Sequence, residues 1–554
     1  MLKFFERDDV CDVILDPPLL HDDTLSLENL FKREYISWNI TFGRVYNIDV
    51  KMVMLLSEYI LHKQQSIHLK THKNKLNRYL YRLGFDTNFE SLIKNDVVDI
   101  DSIEIILIGG SADSSEKIIE IVKNIDLKNL SLIVVQHVDS AKNAIFDKIL
   151  QDNTKHKVSY ASNSQKLQKS NIYLAVADKH LEYQNNSFVL SSKEKYNLAR
   201  PSISISYESF SEYYKEKLLV IQECGYVNDG VDKLKLLKKN KSKIIIQNSD
   251  ECEAKSMPLE ALKEESENYT FDLQNIIYYL KLLNIDDEAK LLLYLKNTIY
   301  EIYSYDFRGY HQDMFKRRID VFMLKHNIKK MKDAVGLILF NRSAFKGFFL
   351  EISINVTEFF RKPESFSGML MFFNKYYKKN LNLKIWSAGC SSGEEAYSMA
   401  IMLDFLNLLE KTTIYATDFN SVILEEAKNA IYSKDSYKKA RNNLFFIDSD
   451  KNLDEYIDKY NDFIIINEKI RKKVLFFQHN LVLDGSFNEF DIIICKNVII
   501  YFEETLQERV FQLFYDSLKF GANLILGESE NIHPSFISKF EQSNENLKIF
   551  KKVA

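Results

Sequence analysis

Three residues with complementary chemistry stand just past three short apolar runs. Ser111 follows IEIILI and the pair Gly109 and Gly110, His137 follows LSLIVVQ, and Asp229 comes shortly after KLLVIQ. If these runs are neighbouring parallel strands, a hydroxyl, an imidazole and a carboxylate emerge together at one carboxyl edge, the set required for a nucleophile, its base and an orienting acid. Each also has an ordinary structural use: Ser111 as a helix cap, His137 as a satisfied core histidine, Asp229 as a turn residue beside Gly230. Their convergence, rather than any one of them, points to acyl chemistry.

A second candidate lies further along. LKIWSAGCSSGEEAYSMAIML reads as a strand, a glycine-bearing turn and an amphipathic helix, an arrangement in which backbone approaches a ligand at a sheet's carboxyl edge. The next strand, TTIYATD, ends in Asp418, 29 residues after Gly389. That acid is placed either to grip ribose hydroxyls or to cap the helix SVILEEAKNAI, and the spacing favours neither use. No GxGxxG pattern and no Walker lysine is present, which disfavours a dinucleotide or a nucleoside triphosphate.

The elements that must position these residues follow from the texture of the chain. At 554 residues it should hold about three to four domains. Residues 1–100 read as a small α/β unit, with helical patterns around Val50–Leu61 and Leu76–Leu83 and a strand at Ser66–Lys70; the order is faintly similar to a STAS-type regulatory domain. Residues 101–262 alternate β-branched runs with helical stretches, the pattern of a doubly wound, mostly parallel sheet. The polar KEESENYT reads as a linker, and residues 270–350 are helix-periodic without a strand signal. From Leu381 five strand-like runs, LKIWSAG, TTIYATD, KVLFFQHN, FDIIICKN and NLILGES, announce a second α/β region.

Composition narrows the function classes. Lys and Arg number 74 against 78 Asp and Glu, a formal charge of −4 that offers no basic surplus for a phosphate backbone, so nucleic acid is not an expected partner. Five cysteines lie far apart without a CxxC pair, and neither a metal site nor a disulfide framework is expected. Charges interrupt the N-terminal segment where a signal core would be apolar, and no run reaches the ~18 apolar residues of a membrane span. A cytoplasmic protein with no membrane insertion is expected. Only 15 glycines and 6 prolines occur, which rules out Gly/Ser-linked or Pro-rich architectures.

Six motifs in order then carry a family resemblance: NVTEFFRKPESF at 355–366, WSAGCSSGEEAYS at 386–398, ATDFN at 416–420, HNL at 479–481, CKNVIIYF at 495–502 and LGESE at 526–530. From Asn275 onward the chain resembles the CheR-type chemotaxis receptor methyltransferases. The resemblance implies a helical N-terminal subdomain within 263–380 and a Rossmann-like S-adenosylmethionine methyltransferase domain over 381–554, with an inserted β-subdomain near 442–473. It implies transfer of a methyl group to glutamate side chains of methyl-accepting chemotaxis receptors. By matching positions, Asn355, Thr357 and Arg361 would line the reactive end of the cofactor and Glu395 and Asp418 would hold its polar groups. Asn480, Leu481 and Asn497 would frame the adenosine, with Tyr501 near the methyl. Arg361 and Tyr501 are the catalytic candidates, Arg361 orienting the incoming carboxylate. Lys496 stands where the family usually has Arg and should change little, whereas the insert lacks the glycines that often shape receptor-tail docking. The basic cluster KRRID at 316–320 resembles the family's receptor-facing helix.

The first α/β region has its own resemblance. GGSADS, VVQHVD, ARPSISISYESF, CGYVNDGVDKL and SMPLEAL, in order from 109 to 262, are similar to the CheB-type receptor methylesterases, which cleave the same glutamyl methyl esters with Ser, His and Asp at the positions of Ser111, His137 and Asp229. The family continues with two glycines where this chain has Asp113 and Ser114, and Tyr226 and Val227 replace its usual MG. Those positions shape the oxyanion donors, where loss of one donor costs about 10²- to 10³-fold in rate. Two readings stay open beside a bifunctional enzyme: a methyltransferase carrying a non-catalytic esterase-like interaction domain, and a non-catalytic chemotaxis scaffold. Recruitment to membrane receptor arrays would follow from either enzymatic reading; oligomeric state is unassigned.

Overall fold

The computed structural model describes residues 99–553 except 112, 138–139, 227, 265–268, 353–356, 379–381, 461–462 and 545–546, together with four strands before residue 99. Those strands, β1 (Leu2–Arg7), β2 (Val10–Leu15), β3 (Ser37–Phe42) and β4 (Ser66–Thr71), form one sheet in chain order. The β1–β2 pair is antiparallel and the other two pairs are parallel. The helices expected at Val50–Leu61 and Leu76–Leu83, and with them the STAS-like reading, lie outside the described residues.

The apolar runs that bracket the first candidate site form a seven-stranded, wholly parallel sheet. Its strands are β5 (Ile105–Gly110), β6 (Ser131–Gln136), β7 (Lys157–Tyr160), β8 (Asn171–Leu174), β11 (Leu218–Gln222), β12 (Lys243–Gln247) and β13 (Tyr269–Phe271), while β9 (His180–Gln184) and β10 (Ser187–Ser191) make a separate hairpin. The spatial order is β13-β12-β11-β5-β6-β8-β7. Every residue of β5, β6 and β11 is buried, as expected where helices cover both faces and the strand sequence is continuously apolar. β5 lies between β6 and β11, so the chain winds outward in both directions from it.

The second sheet follows the same logic. β14 (Leu383–Ala388), β15 (Thr412–Asp418), β19 (Val474–Gln478), β20 (Phe490–Cys495) and β21 (Leu518–Leu526) are its parallel strands, and they are the five runs legible in the sequence. The antiparallel pair β22 (Phe540–Asn544) and β23 (Ile549–Lys552) completes the order β19-β15-β14-β20-β21-β23-β22. A small antiparallel sheet of β16 (Ile431–Ser433), β17 (Ile457–Lys459) and β18 (Phe463–Ile466) occupies the insert, which begins ahead of residue 442.

Three features differ from what the sequence suggests. Tyr269–Phe271, overlapping the end of the stretch read as linker, adds a parallel edge strand to the first sheet by pairing with β12. The helices that follow, read as part of the methyltransferase, largely share a compact unit with the first sheet: Asn95–Arg308 and Lys316–Phe348 form one unit, while Gly309–Phe315 and Phe349–Ala554 belong to the other. Phe271 packs on Phe340 at 5.1 Å, and the Ile100 amide donates to Asp333 at 2.9 Å, which seats those helices. Cys224 and Cys252, read as unpaired, are joined in a disulfide. Their 28-residue separation collapses to a Cα distance of 5.7 Å because both follow the ends of the adjacent parallel strands β11 and β12. No helix among the described residues is long and apolar enough to cross a membrane.

Candidate active sites

Ser111 leaves the end of β5, His137 the end of β6, and Asp229 the loop after β11. Because β5 is the strand from which the sheet winds both ways, its carboxyl end opens a crevice flanked by both neighbours. The three side chains meet there. Ser111 Oγ lies 3.2 Å from His137 Nδ1, and His137 Nε2 lies 2.8 Å from Asp229 Oδ2. Asp229 is fully buried, yet its carboxyl sits below the usual range. Burial works against the charge, and the hydrogen bond from His137 with the amides of Ile203 and Ser204 outweighs it. Those amides donate at 2.6 and 3.1 Å from the first turn of helix Ile203–Tyr214, and Ser202 Oγ adds a third bond at 2.8 Å. An anion at a helix N-terminus is favoured by the unpaired amides and the dipole. Ser202 and Ser204 were not among the expected site residues, although ARPSISISYESF contains both and a serine opening a helical run is a capping signal.

Asp113 stands in the nucleophile turn where the resembled family has glycine. Asp113 adopts φ +71°, a left-handed conformation that Asp tolerates better than most residues. Lys117 Nζ at 3.2 Å and the Glu253 amide at 2.7 Å hold its carboxylate. Gly225 is required by close approach, since a Cβ there would meet Ser111 Cβ at 2.8 Å.

The second site is a cavity of about 230 Å³ at the corresponding place in the other sheet, where β14 lies between β15 and β20. Thr357, Arg361, Glu395, Asp418, Asn480, Leu481, Asn497 and Tyr501 all line it. Asn355 lies outside the described residues. Gly389 follows β14 at φ +73°, and a Cβ there would strike Val498 at 2.5 Å, so the turn and the 497–499 loop can close on one another only at glycine. Asp418 accepts the Ser391 amide at 3.0 Å through one oxygen and the Asn420 amide at 2.9 Å through the other. Burial nevertheless raises its pKa to about 6. It is therefore ionised at neutral pH, with lone pairs left for ligand hydroxyls.

Arg361 is positioned by its neighbours. Phe359 and Phe360 are both buried, the former edge-on to Tyr432 at 4.7 Å and the latter to Phe366 at 5.7 Å. The Phe360 amide donates to Ser398 Oγ at 2.9 Å, which ties this loop to helix Glu394–Phe405.

Three residues of this site were missed or undervalued by sequence reasoning. Lys496, expected to change little, lines the cavity, pairs with Glu395 at 3.2 Å and lies over the Phe366 ring. Glu530 accepts the amides of Gly527, Asn497, Val498 and Ile499 at 2.8–3.0 Å and so shapes the loop bearing Asn497; the LGESE motif contained it. Tyr310 comes from outside every motif. The Glu503 amide donates to Gly309 O and the His311 amide to Tyr501 O, which lays Tyr310 along the cavity beside Phe502.

Residues 355–549 match the family model described as CheR methyltransferase, SAM binding domain. A Pseudomonas putida protein named as methyltransferase Cher3 is 35% identical over 49% of this chain and 98% of its own length. The chemotaxis protein methyltransferase of Listeria innocua is 30% identical over 45% of this chain and 92% of its own. The chain belongs to the CheR methyltransferase family. Residues 106–280 match the CheB methylesterase model, so a methylesterase-family domain precedes the CheR domain. The solved CheB methylesterase catalytic domain of Thermotoga maritima is 23% identical, spanning 32% of this chain and 98% of that one, with a TM-score of 0.30.

The cofactor of the CheR domain is S-adenosylmethionine, and the cavity fits it. Leu481, Val482, Val498 and Ile500 supply apolar wall for a purine. The carboxylates of Asp418, Glu395 and Glu358 suit hydroxyl and ammonium groups. His479 also lines the cavity, and its Nδ1 is buried without a partner among the described residues, an acceptor that suits an amino group.

Proposed function

We propose that this chain forms methyl esters on glutamate side chains of chemotaxis receptors and hydrolyses them again at Ser111. The single observation that carries the second half is the continuous Ser111–His137–Asp229 relay on the same chain as the CheR domain.

For methyl transfer, a receptor glutamate with a pKa of about 4.3 is already an anionic nucleophile at neutral pH, so the site needs no general base. Bound S-adenosylmethionine supplies an electrophilic methyl group on a sulfonium. Arg361 orients the incoming carboxylate by a charge-assisted bond, Asp418 fixes hydroxyls, and Asn480, Leu481 and Asn497 frame the adenosine. Thr357 and Tyr501 border the reacting groups.

For hydrolysis, Ser111 Oγ attacks the ester carbonyl as His137 Nδ1 takes its proton, and the buried Asp229 carboxylate stabilises the imidazolium. His137 returns the proton to the departing methoxide, giving methanol and an acyl-serine, and water then completes the cycle through the same base. Two Pseudomonas- and Listeria-type relatives carry methyltransferase names, which supports the first activity. Methanol release from methylated receptor by wild type and by Ser111→Ala tests the second. Release by wild type alone is expected; release by neither leaves an esterase-like interaction domain.

A further inference from the structure

The nucleophile turn of the first site is clasped from both ends of the Cys224–Cys252 disulfide. On one side the Ser111 amide donates to Cys224 O at 3.0 Å. On the other, the amide of Glu253, the residue after Cys252, donates to Asp113 at 2.7 Å. Between them, Gly225 N bonds Ala254 O and Met257 N bonds Gly225 O, each at 2.9 Å, and Gly225 packs directly beneath Ser111. Asp229 lies four residues further along the same loop. The disulfide therefore links the two loops that hold the nucleophile turn, and one of them also delivers the orienting acid. Both sulfurs are buried, and an Asp113 oxygen lies within 4.8 Å of them. The two other cysteines among the described residues, Cys390 and Cys495, are free and buried in the CheR domain.

We propose that Cys224 and Cys252 are a reversible thiol–disulfide site that sets esterase competence: the bonded pair holds the nucleophile turn against the Asp229 loop, and the dithiol releases it. The partner chemistry is a low-molecular-weight disulfide or dithiol. In oxidation, one thiolate attacks the disulfide RSSR, releasing RSH. The second thiolate then displaces the other RS group to close the protein bond. Two RSH form, one S–S bond replaces another, and the two thiol protons end on RSH. Methyl transfer, whose residues lie in another compact unit, is independent of the switch. One chain thereby gains a means of silencing one of two opposing activities. The consequence for ester hydrolysis rests on the esterase reading above.

The test uses the full chain equilibrated with glutathione disulfide or with dithiothreitol. Maleimide labelling read by intact mass should show two more reactive thiols in the reduced protein, absent from Cys252→Ser after allowance for its single residual thiol. Hydrogen exchange at the amides of Ser111 and Glu253 should speed at least several-fold on reduction. Methanol release should fall by on the order of tenfold or more, since small misplacements of a catalytic group cost up to about 10²-fold, while methyl transfer stays constant. Equal exchange at Ser111 and Glu253 in both redox states overturns the proposal. A redox-dependent exchange difference without methanol release in either state leaves the switch standing and removes the esterase reading.

Discussion

The two seven-stranded sheets solve the same positional problem and arrive at opposite kinds of site. In each, a central strand, β5 or β14, is flanked by strands running outward in both directions, and the chemistry sits at its carboxyl end. At β5 the sheet brings three side chains into hydrogen-bond contact and closes the turn tightly around them. At β14 it holds groups around an open cavity, and Asp418 and Glu395 meet backbone amides, Lys496 and the cavity rather than forming a relay. Under the proposed function, the contrast matches what each reaction would demand. Attack by a neutral serine needs a proton acceptor in contact, whereas attack by an already charged carboxylate needs only alignment and exclusion of water.

The contrast breaks most visibly at Ser111. Ser111→Ala should lower methanol release by on the order of 10³-fold or more, with methyl transfer unchanged. A comparable loss in both activities would mean that the two sites are not independent. Next in size, Asp418→Ala should weaken S-adenosylmethionine binding by about 10- to 100-fold in calorimetry, the loss expected for a charged hydrogen bond worth ~1.5–3 kcal/mol, and leave methanol release intact.

Acidity sharpens the comparison further. The Asp418 carboxyl, raised to about 6 by burial, loses its charge as pH falls through that value. Affinity for S-adenosylmethionine should drop up to about tenfold between pH 7 and pH 5, and Asp418→Asn should flatten the profile. The Asp229 carboxyl is shifted the other way, downward by the His137 hydrogen bond and the Ile203 and Ser204 amides, and keeps its charge in that window. The smallest effect concerns Glu223, beside the first site. It is fully buried, both carboxylate oxygens lack hydrogen-bond partners among the described residues, and its pKa rises to about 8. The folded state binds this proton more tightly than the unfolded one, so stability is fullest below the ordinary value of 4.5 and is lost as pH rises through about 8. Glu223→Gln should remove that slope, raising the melting temperature at pH 8.5 relative to wild type by roughly 2–4 °C or more, with little change at pH 4.

Much of this organisation is legible in the sequence. The β-branched runs ending at Gly110, Gln136, Ala388 and Asp418 are strands because parallel strands buried on both faces must be apolar throughout, a pattern that survives in one dimension. Ser111, His137 and Asp229 were readable because each follows such a run. What escaped depends on neighbours distant in sequence. Tyr269–Phe271 is too short to show periodicity and is a strand only because β12 offers an edge. Cys224 and Cys252 carry no spacing signal, since their proximity comes from strand adjacency. Tyr310 reaches the cavity by pairing with Phe502, far along the chain. Lys496 looked like a neutral exchange for Arg, and its place against Glu395 and Phe366 exists only in three dimensions.

The most direct test of the central claim is a two-step labelling experiment on receptor-containing membranes. Wild-type chain is incubated with methyl-labelled S-adenosylmethionine, the donor is removed, and base-labile label on the receptor and volatile label in the headspace are followed over time. The account predicts that label enters the receptor as base-labile methyl ester and then leaves as methanol, and that Ser111→Ala protein performs the first step without the second. Failure to incorporate base-labile label, by protein that binds S-adenosylmethionine in calorimetry, would contradict it.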